Sequence, residues 1–218
     1  MWTINEVLTS GARKYADRVA VVDGGRQTGF AELEAAVLQT AGWLQAQGVG
    51  KGDKVAIQGR NSLAWVVAFY ATLRAGAVAV PLNHKLAAAE TAYILEHSES
   101  RLWLVDGDLY QPEAFGSSEL RAFALNGEGG SAGLPPFAPT SESHPFTPVD
   151  VAADDLAELL YTSGTTGRPK GCMHSHANVL LAGLGSSTVY WLGPSDRVLI
   201  AMPVWHSFPL NNLLVGSH

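Results

Sequence analysis

The chain has 218 residues, 47% hydrophobic and 16% charged, with a formal net charge of −6. That composition belongs to a globular chain with a real core, long enough for one or two domains. The acidic balance argues against nucleic acid or an anionic membrane as a general partner, but leaves room for a local anion site. The single cysteine, Cys172, makes no internal disulfide, so a reducing, cytoplasmic compartment is the default.

The N-terminus, MWTINEVLTSGARKYADR, lacks a basic start followed by an apolar run and does not read as a signal peptide. VAVVDGG reads as a strand closed by the turn Asp23-Gly24-Gly25. A helix follows in FAELEAAVLQTAGWLQAQG, where Phe30, Leu33, Val37, Ala41 and Leu44 share one face. Gly48 and Gly50 stop it. KVAIQG is a short buried strand. The apolar stretch SLAWVVAFYATLRAGAVAVPL is interrupted by Arg74, Gly76 and Pro81, so it reads as a buried helix and a buried strand, not as an integral membrane span. Asn61 or Ser62 caps that helix and Gly76 ends it. AAAETAYILEHSE is a further helix and RLWLVDG a further strand. Alternating strands and helices, with strands apolar on both faces, predict an α/β fold: a layered, mostly parallel sheet with helices on both faces.

From 126 to 150 the chain turns rich in Gly, Pro and Ser (NGEGGSAGLPPFAPTSESHPFTP). It reads as a connecting loop between a first lobe, 1–125, and the start of a second, 151–218. In the second, DLAELLYT and RVLIAMP read as strands and HANVLLAGLGSSTVYW as a helix.

The chemistry concentrates in YTSGTTGRPKG, 161–171. Glycines let a backbone turn its N–H groups toward a ligand. Hydroxyls add uncharged donors, and a lysine adds a mobile positive charge. Together they suit a phosphate. The competing reading is a solvated linker, but such linkers rarely lie between segments as apolar as LAELLY and NVLLAGL. The spacing is not that of a Walker A loop. Arg168-Pro169 disfavours a helix starting at Lys170, so a strand-loop-strand element is expected.

YTSGTTGRPKG resembles the signature loop of the AMP-forming adenylate synthetases, which include acyl-CoA synthetases, peptide-synthetase adenylation domains and firefly-type luciferases. FAELEAAVLQTAGWLQAQGVGKGDKVAI, NSLAWVVAFYATLRAGAVAVPLN and MPVWHSFPLNN match that family in order, so the resemblance runs from about Val19 to Asn212. It implies that Thr162, Ser163, Gly164, Thr165, Thr166, Gly167 and Lys170 cradle the β- and γ-phosphates of ATP, with Mg2+ bridging those phosphates. It also implies catalytic roles for Lys170 and for His206, near the acyl and pantetheine tunnel; by pattern alone His206 beside Trp205 and Phe208 reads as a packed core residue. The implied reaction activates a carboxylic acid as an acyl-adenylate and transfers it to coenzyme A. The alternatives are a peptide-synthetase adenylation domain and a non-catalytic nucleotide-binding or interaction remnant.

Two residues depart from the family pattern. Gly29 stands where Ser or Thr usually precedes the first helix, and Pro209 where glycine is common. The family's downstream Thr-Glu magnesium ligand, ribose-binding aspartate, hinge and C-terminal lysine have no counterparts in the sequence. The expectation is therefore an N-terminal portion inactive alone. An unpaired sheet edge and apolar helix face after Asp150 would favour a homodimer. No metal site is expected from the chain's own residues: His174 and His176 read as strand surface and helix cap, and Cys172 as a small buried residue.

Overall fold

The helix–strand alternation produces one continuous sheet. A computed structural model describes residues 2–115, 120–126, 133–137, 144–162 and 168–218. Helix α1 (Ile4–Lys14) opens on a capping box in which the Thr3 amide donates to the Glu6 carboxylate at 2.6 Å. Strands β1 (Val19–Asp23) and β2 (Arg26–Gly29) form a small antiparallel hairpin. Gly29 is the cap of α2 (Phe30–Ala46), which buries the predicted face: Phe30, Leu33, Val37, Ala41 and Leu44. Then come β3 (Lys54–Gln58), α3 (Leu63–Arg74), β4 (Val78–Leu82), α4 (Ala88–His97), β5 (Ser100–Val105) and β6 (Arg121–Ala124). Ser62 rather than Asn61 caps α3, its hydroxyl accepting from the Trp65 amide at 3.2 Å. Gly76 ends that helix at φ +76°, a conformation that costs glycine least.

Two more strands, β7 (Leu156–Thr162) and β8 (Lys170–Ser175), lead into α5 (His176–Val189). Among the described residues the sheet order is β6-β5-β3-β4-β7-β8. All pairs are parallel except β7–β8. The pleat sends alternate residues to opposite faces. Val55, Ile57, Leu102 and Leu104 meet α1, α2 and α3 in one apolar layer. Ala56, Val80, Leu82, Trp103 and Val105 meet α4 in the other. The expected α/β sheet with helices on both faces is therefore what forms. No described helix is long and apolar enough to cross a membrane.

One sequence expectation about the elements needs correction. RVLIAMP is not a strand: residues 196–201 lack regular structure. No described strand lies beside it, and Asn61 takes the place of a ladder. Its amide Nδ2 donates to the carbonyls of Ile200 (3.1 Å) and Met202 (2.8 Å), and its Oδ1 accepts from the Val204 amide (2.9 Å). Among the aromatic residues, Trp65 and Trp103 are fully buried, while Trp191 is 90% exposed. The last element, Phe208–Val215, is a π-helix with Pro209 in its first turn; α1, β2 and β6 were not read from the sequence, although Ile4, Leu8 and Gly11 give α1 one buried face.

Candidate functional site

The glycine- and hydroxyl-rich segment joins β7 to β8, so the predicted strand-loop-strand arrangement holds. Thr162 pairs with Lys170 and Tyr161 with Gly171. Thr162 and Lys170 thus face each other across the root of the loop, and both are exposed. Lys170 makes no ion pair among the described residues, which leaves its ammonium for a ligand. Ser163, Gly164, Thr165, Thr166 and Gly167 lie outside the described residues.

Both roots of the loop rest on α4. The Tyr161 hydroxyl and His97 Nδ1 lie 2.7 Å apart in a hydrogen bond, and their rings meet edge to face with centroids 5.7 Å apart. On the far side of the loop, the Arg168 guanidinium sits 5.6 Å from the Tyr93 ring centroid. Gly171 gives the Tyr161 ring its place, since a Cβ there would lie 3.2 Å from the ring. Burial pushes the Tyr161 hydroxyl up to about 12, so it is a neutral donor across the physiological range.

The opposite face of the hairpin is held by a buried carboxylate. Glu158, in the middle of β7, is fully buried. Its Oε1 accepts from His174 Nδ1 on β8 and from Asn211 Nδ2 on the π-helix, each at 2.8 Å. The hydrogen bond to Glu158 raises the His174 pKa against the opposing effect of desolvation. His174 stays partly exposed on β8, as expected of strand surface, and also ties that strand to Glu158. His176 is not the helix cap: Ser175 is, accepting from the Asn178 amide at 3.3 Å. His176 is buried behind it, where its Nδ1 accepts from the Ile4 amide at 3.3 Å. Desolvation lowers its pKa to about 4. Cys172 is exposed, not buried, because β8 is the edge of the sheet and Cys172 lies on its open side.

His206 lies just ahead of the π-helix. Its amide donates to the Pro203 carbonyl at 3.1 Å and its carbonyl accepts from Leu210 at 3.1 Å. It is exposed, which removes the packed-core reading. Beside it, Trp205 Nε1 donates to His84 Nδ1 at 3.1 Å. No hydrogen bond joins His206 to Lys170; the hairpin and the π-helix meet through Glu158 and Asn211. Among the described residues no group of three or more His, Cys, Asp or Glu side chains could hold a metal.

The profile of the AMP-binding enzyme family matches residues 8–217. The chain belongs to that family. Curated AMP-binding enzymes similar to it include a 3-hydroxybenzoate–CoA ligase of Aromatoleum sp. (strain CIB), 34% identical over 211 residues, covering 94% of this chain and 40% of the relative. A 2-succinylbenzoate–CoA ligase of Bacillus licheniformis is 36% identical over 197 residues, covering 90% and 39%. Among solved structures, O-succinylbenzoate coenzyme A synthetase from Bacillus subtilis in complex with AMP superposes with a TM-score of 0.83 at 30% identity, covering 97% of this chain and 52% of that one. The chain thus spans about two fifths of the length of these curated relatives.

Sequence reasoning missed the residues that hold the roots of the glycine- and hydroxyl-rich loop from behind. Tyr93 and His97 sit in a segment read only as a further helix. Glu158 carried a usable signal, a carboxylate inside the run LAELLY, which an apolar strand has no packing reason to contain.

Proposed function

We propose that this chain supplies the phosphate-binding part of an AMP-forming acyl-CoA ligase. The observation that carries the reading is the β7–β8 hairpin, whose paired Thr162 and Lys170 frame a loop of glycines and hydroxyls. This donor set suits the ATP triphosphate: the loop's sequence is rich in hydroxyls, and Thr162 and Lys170 pair at its root. Thr162, Ser163, Gly164, Thr165, Thr166, Gly167 and Lys170 would hold the β- and γ-phosphates. Mg2+ would arrive with the nucleotide, its charge on the phosphates aiding departure of pyrophosphate; the described residues offer it no acidic cluster. Support for the nucleotide comes from the Bacillus subtilis relative, solved with AMP and with ATP and magnesium ion.

Positioning and charge neutralisation dominate such a reaction. An oxygen of the carboxylic acid attacks the α-phosphorus, the bond to pyrophosphate breaks, and an acyl-adenylate results. The thiol of coenzyme A then takes the acyl group and AMP leaves. Lys170 would bear on charge developing toward pyrophosphate, and exposed His206 would line the path of the acid and the thiol. Similarity to 3-hydroxybenzoate–CoA and 2-succinylbenzoate–CoA ligases favours an aromatic carboxylic acid and coenzyme A over a peptide-synthetase acceptor. The activity belongs to the whole ligase; the 218-residue chain is proposed to bind nucleotide without turning it over. The division at 126–150 is read as a boundary between two lobes, and the compartment as the cytoplasm.

We also propose a homodimer through the segment after Asp150. Its support is the open edge at β8 and the exposed apolar side chains of Leu181, Leu184, Val189 and Trp191.

Calorimetric titration with MgATP and, separately, with pyrophosphate tests the site; failure of both to bind overturns it. Incubation with MgATP, benzoate-type acids and labelled pyrophosphate tests competence: exchange of label would show that the chain turns over by itself.

A further inference from the structure

The hairpin that carries the loop is gripped from both faces. The contacts to α4 on one face are partly exposed. Those on the other are buried and run through one carboxylate. Glu158 Oε1 receives two donors, His174 Nδ1 from β8 and Asn211 Nδ2 from the π-helix. Glu158 Oε2 and Asn211 Oδ1 are buried and have no hydrogen-bond partner among the described residues.

Stability is a poor explanation for such a group. A buried ion pair is commonly no better than well-packed apolar residues of the same volume, because removing charge from water costs as much as the pairing returns. Leu or Val would extend β7 without leaving an orphaned oxygen. Buried polar networks do specify one arrangement among several that packing alone would tolerate.

The partner element points the same way. π-Helical stretches are rare and cluster at functional sites. This one begins two residues after His206, and the His206 carbonyl accepts from Leu210 within its first turn. It lies hard against α5: a Cβ on Gly183 would sit 3.0 Å from the Asn211 carbonyl oxygen. Asn211 therefore has little freedom to move independently of that backbone. Glu158 lies four residues before Thr162 in the same strand. One hydrogen bond, from Asn211 Nδ2 to Glu158 Oε1, thus connects the strand that feeds the loop to the element that follows His206, while the bond from His174 ties the same carboxylate to β8.

We infer that Glu158 is a positioning residue that fixes the loop-bearing hairpin relative to the His206 segment through Asn211. In the proposed reaction these two parts handle the nucleotide and the acyl chemistry, and each must sit correctly for the other to be useful. The inference rests on the proposed function for its consequence, but not for its geometry.

Asn211→Ala removes the link while leaving the Glu158–His174 pair. Glu158→Gln keeps one oxygen to accept from Asn211 and replaces the other carboxylate oxygen with an NH2 donor. Amide hydrogen exchange on the whole chain should rise about tenfold at Tyr161, Thr162 and residues 170–172 in Asn211→Ala, with 208–215 rising alongside and β3 and β5 unchanged. Glu158→Gln should stay within about threefold of the parent. MgATP affinity should fall about fivefold in Asn211→Ala and be largely retained in Glu158→Gln. Unchanged exchange in the hairpin overturns the inference, as does altered exchange with parental MgATP affinity, which would make the link purely structural. A parent chain that binds no MgATP defeats the proposed function instead, and the exchange comparison still decides the role of Glu158.

Discussion

The sheet centre and the region after Asp150 are built by different means. In β3, β4 and β5 alternate apolar side chains fill two layers, and Trp65, Phe69 and Trp103 are almost wholly buried. In β8, α5 and the segment up to the π-helix, Val189, Trp191 and Leu199 are 71%, 90% and 86% exposed. There, beside buried Val179, Val204 and Leu210, directed polar contacts add to the packing: Asn61 on the carbonyls of residues 200 and 202, His97 on Tyr161, and Glu158 between His174 and Asn211. Apolar packing sets where the sheet is. Hydrogen bonds help to set where the candidate chemistry is.

The largest expected effect breaks the first half of that comparison. Trp103→Ala should cost about 3–5 kcal/mol of unfolding free energy, as buried aromatic truncations do. The loss should fall toward the upper end, because Trp103 Nε1 also donates to Gln58 Oε1 at 3.1 Å. Urea unfolding followed by circular dichroism reads it. A loss under about 1 kcal/mol would mean the centre tolerates voids a close-packed layer should not.

Acid should act next most strongly, through the second region. His176 has a folded pKa of about 4 against an ordinary 6.5. Above pH 6.5 both folded and unfolded forms are neutral and nothing is gained or lost. As the pH falls from 6.5 to 4, the unfolded chain binds a proton that the folded chain cannot, and stability declines. Buried His218, also lowered to about 4, adds in the same direction. His174 works oppositely: its pKa is raised, so its contribution is full below 6.5 and fades as the pH climbs through its folded value. Urea midpoints at pH 7 and 4.5 should therefore differ, and His176→Asn should narrow the difference. An identical difference in that variant would show that His176 is not desolvated.

A smaller effect sharpens the second half. Tyr161→Phe keeps the ring over Gly171 but loses the bond to His97, for about 0.5–1 kcal/mol. The loss should concentrate in hydrogen exchange at Thr162 and Lys170. A uniform loss across the sheet would mean the contact does not act on the loop.

The smallest effect belongs to Trp191→Ser. An exposed side chain should change monomer stability by less than about 0.5 kcal/mol. Light scattering at micromolar concentration should nevertheless show weaker self-association. Equal masses for parent and variant, both of one chain, would remove Trp191 and the dimer from the account.

The same division explains what was legible in the sequence. The face Phe30, Leu33, Val37, Ala41 and Leu44, the strands KVAIQG and RLWLVDG, and the stop at Gly76 follow from periodicity and φ preference, which are local. The loop was legible from residue type. RVLIAMP was misread because an apolar β-branched run specifies a strand only when another strand is there to receive it. Asn61 supplies the hydrogen bonds instead, from 139 residues away in sequence. His97, Glu158 and Asn211 were hidden for the same reason: each acts through a partner that only the fold brings near.

The central claim is that the loop between Thr162 and Lys170 holds the phosphates of ATP. Calorimetric titration of MgATP into the parent chain and into Lys170→Ala tests it most directly. The account predicts saturable binding by the parent and an affinity about tenfold lower in the variant, from loss of a charge-assisted contact of about 1.5 kcal/mol, with unfolding midpoints unchanged. Equal affinity in the two proteins would contradict it.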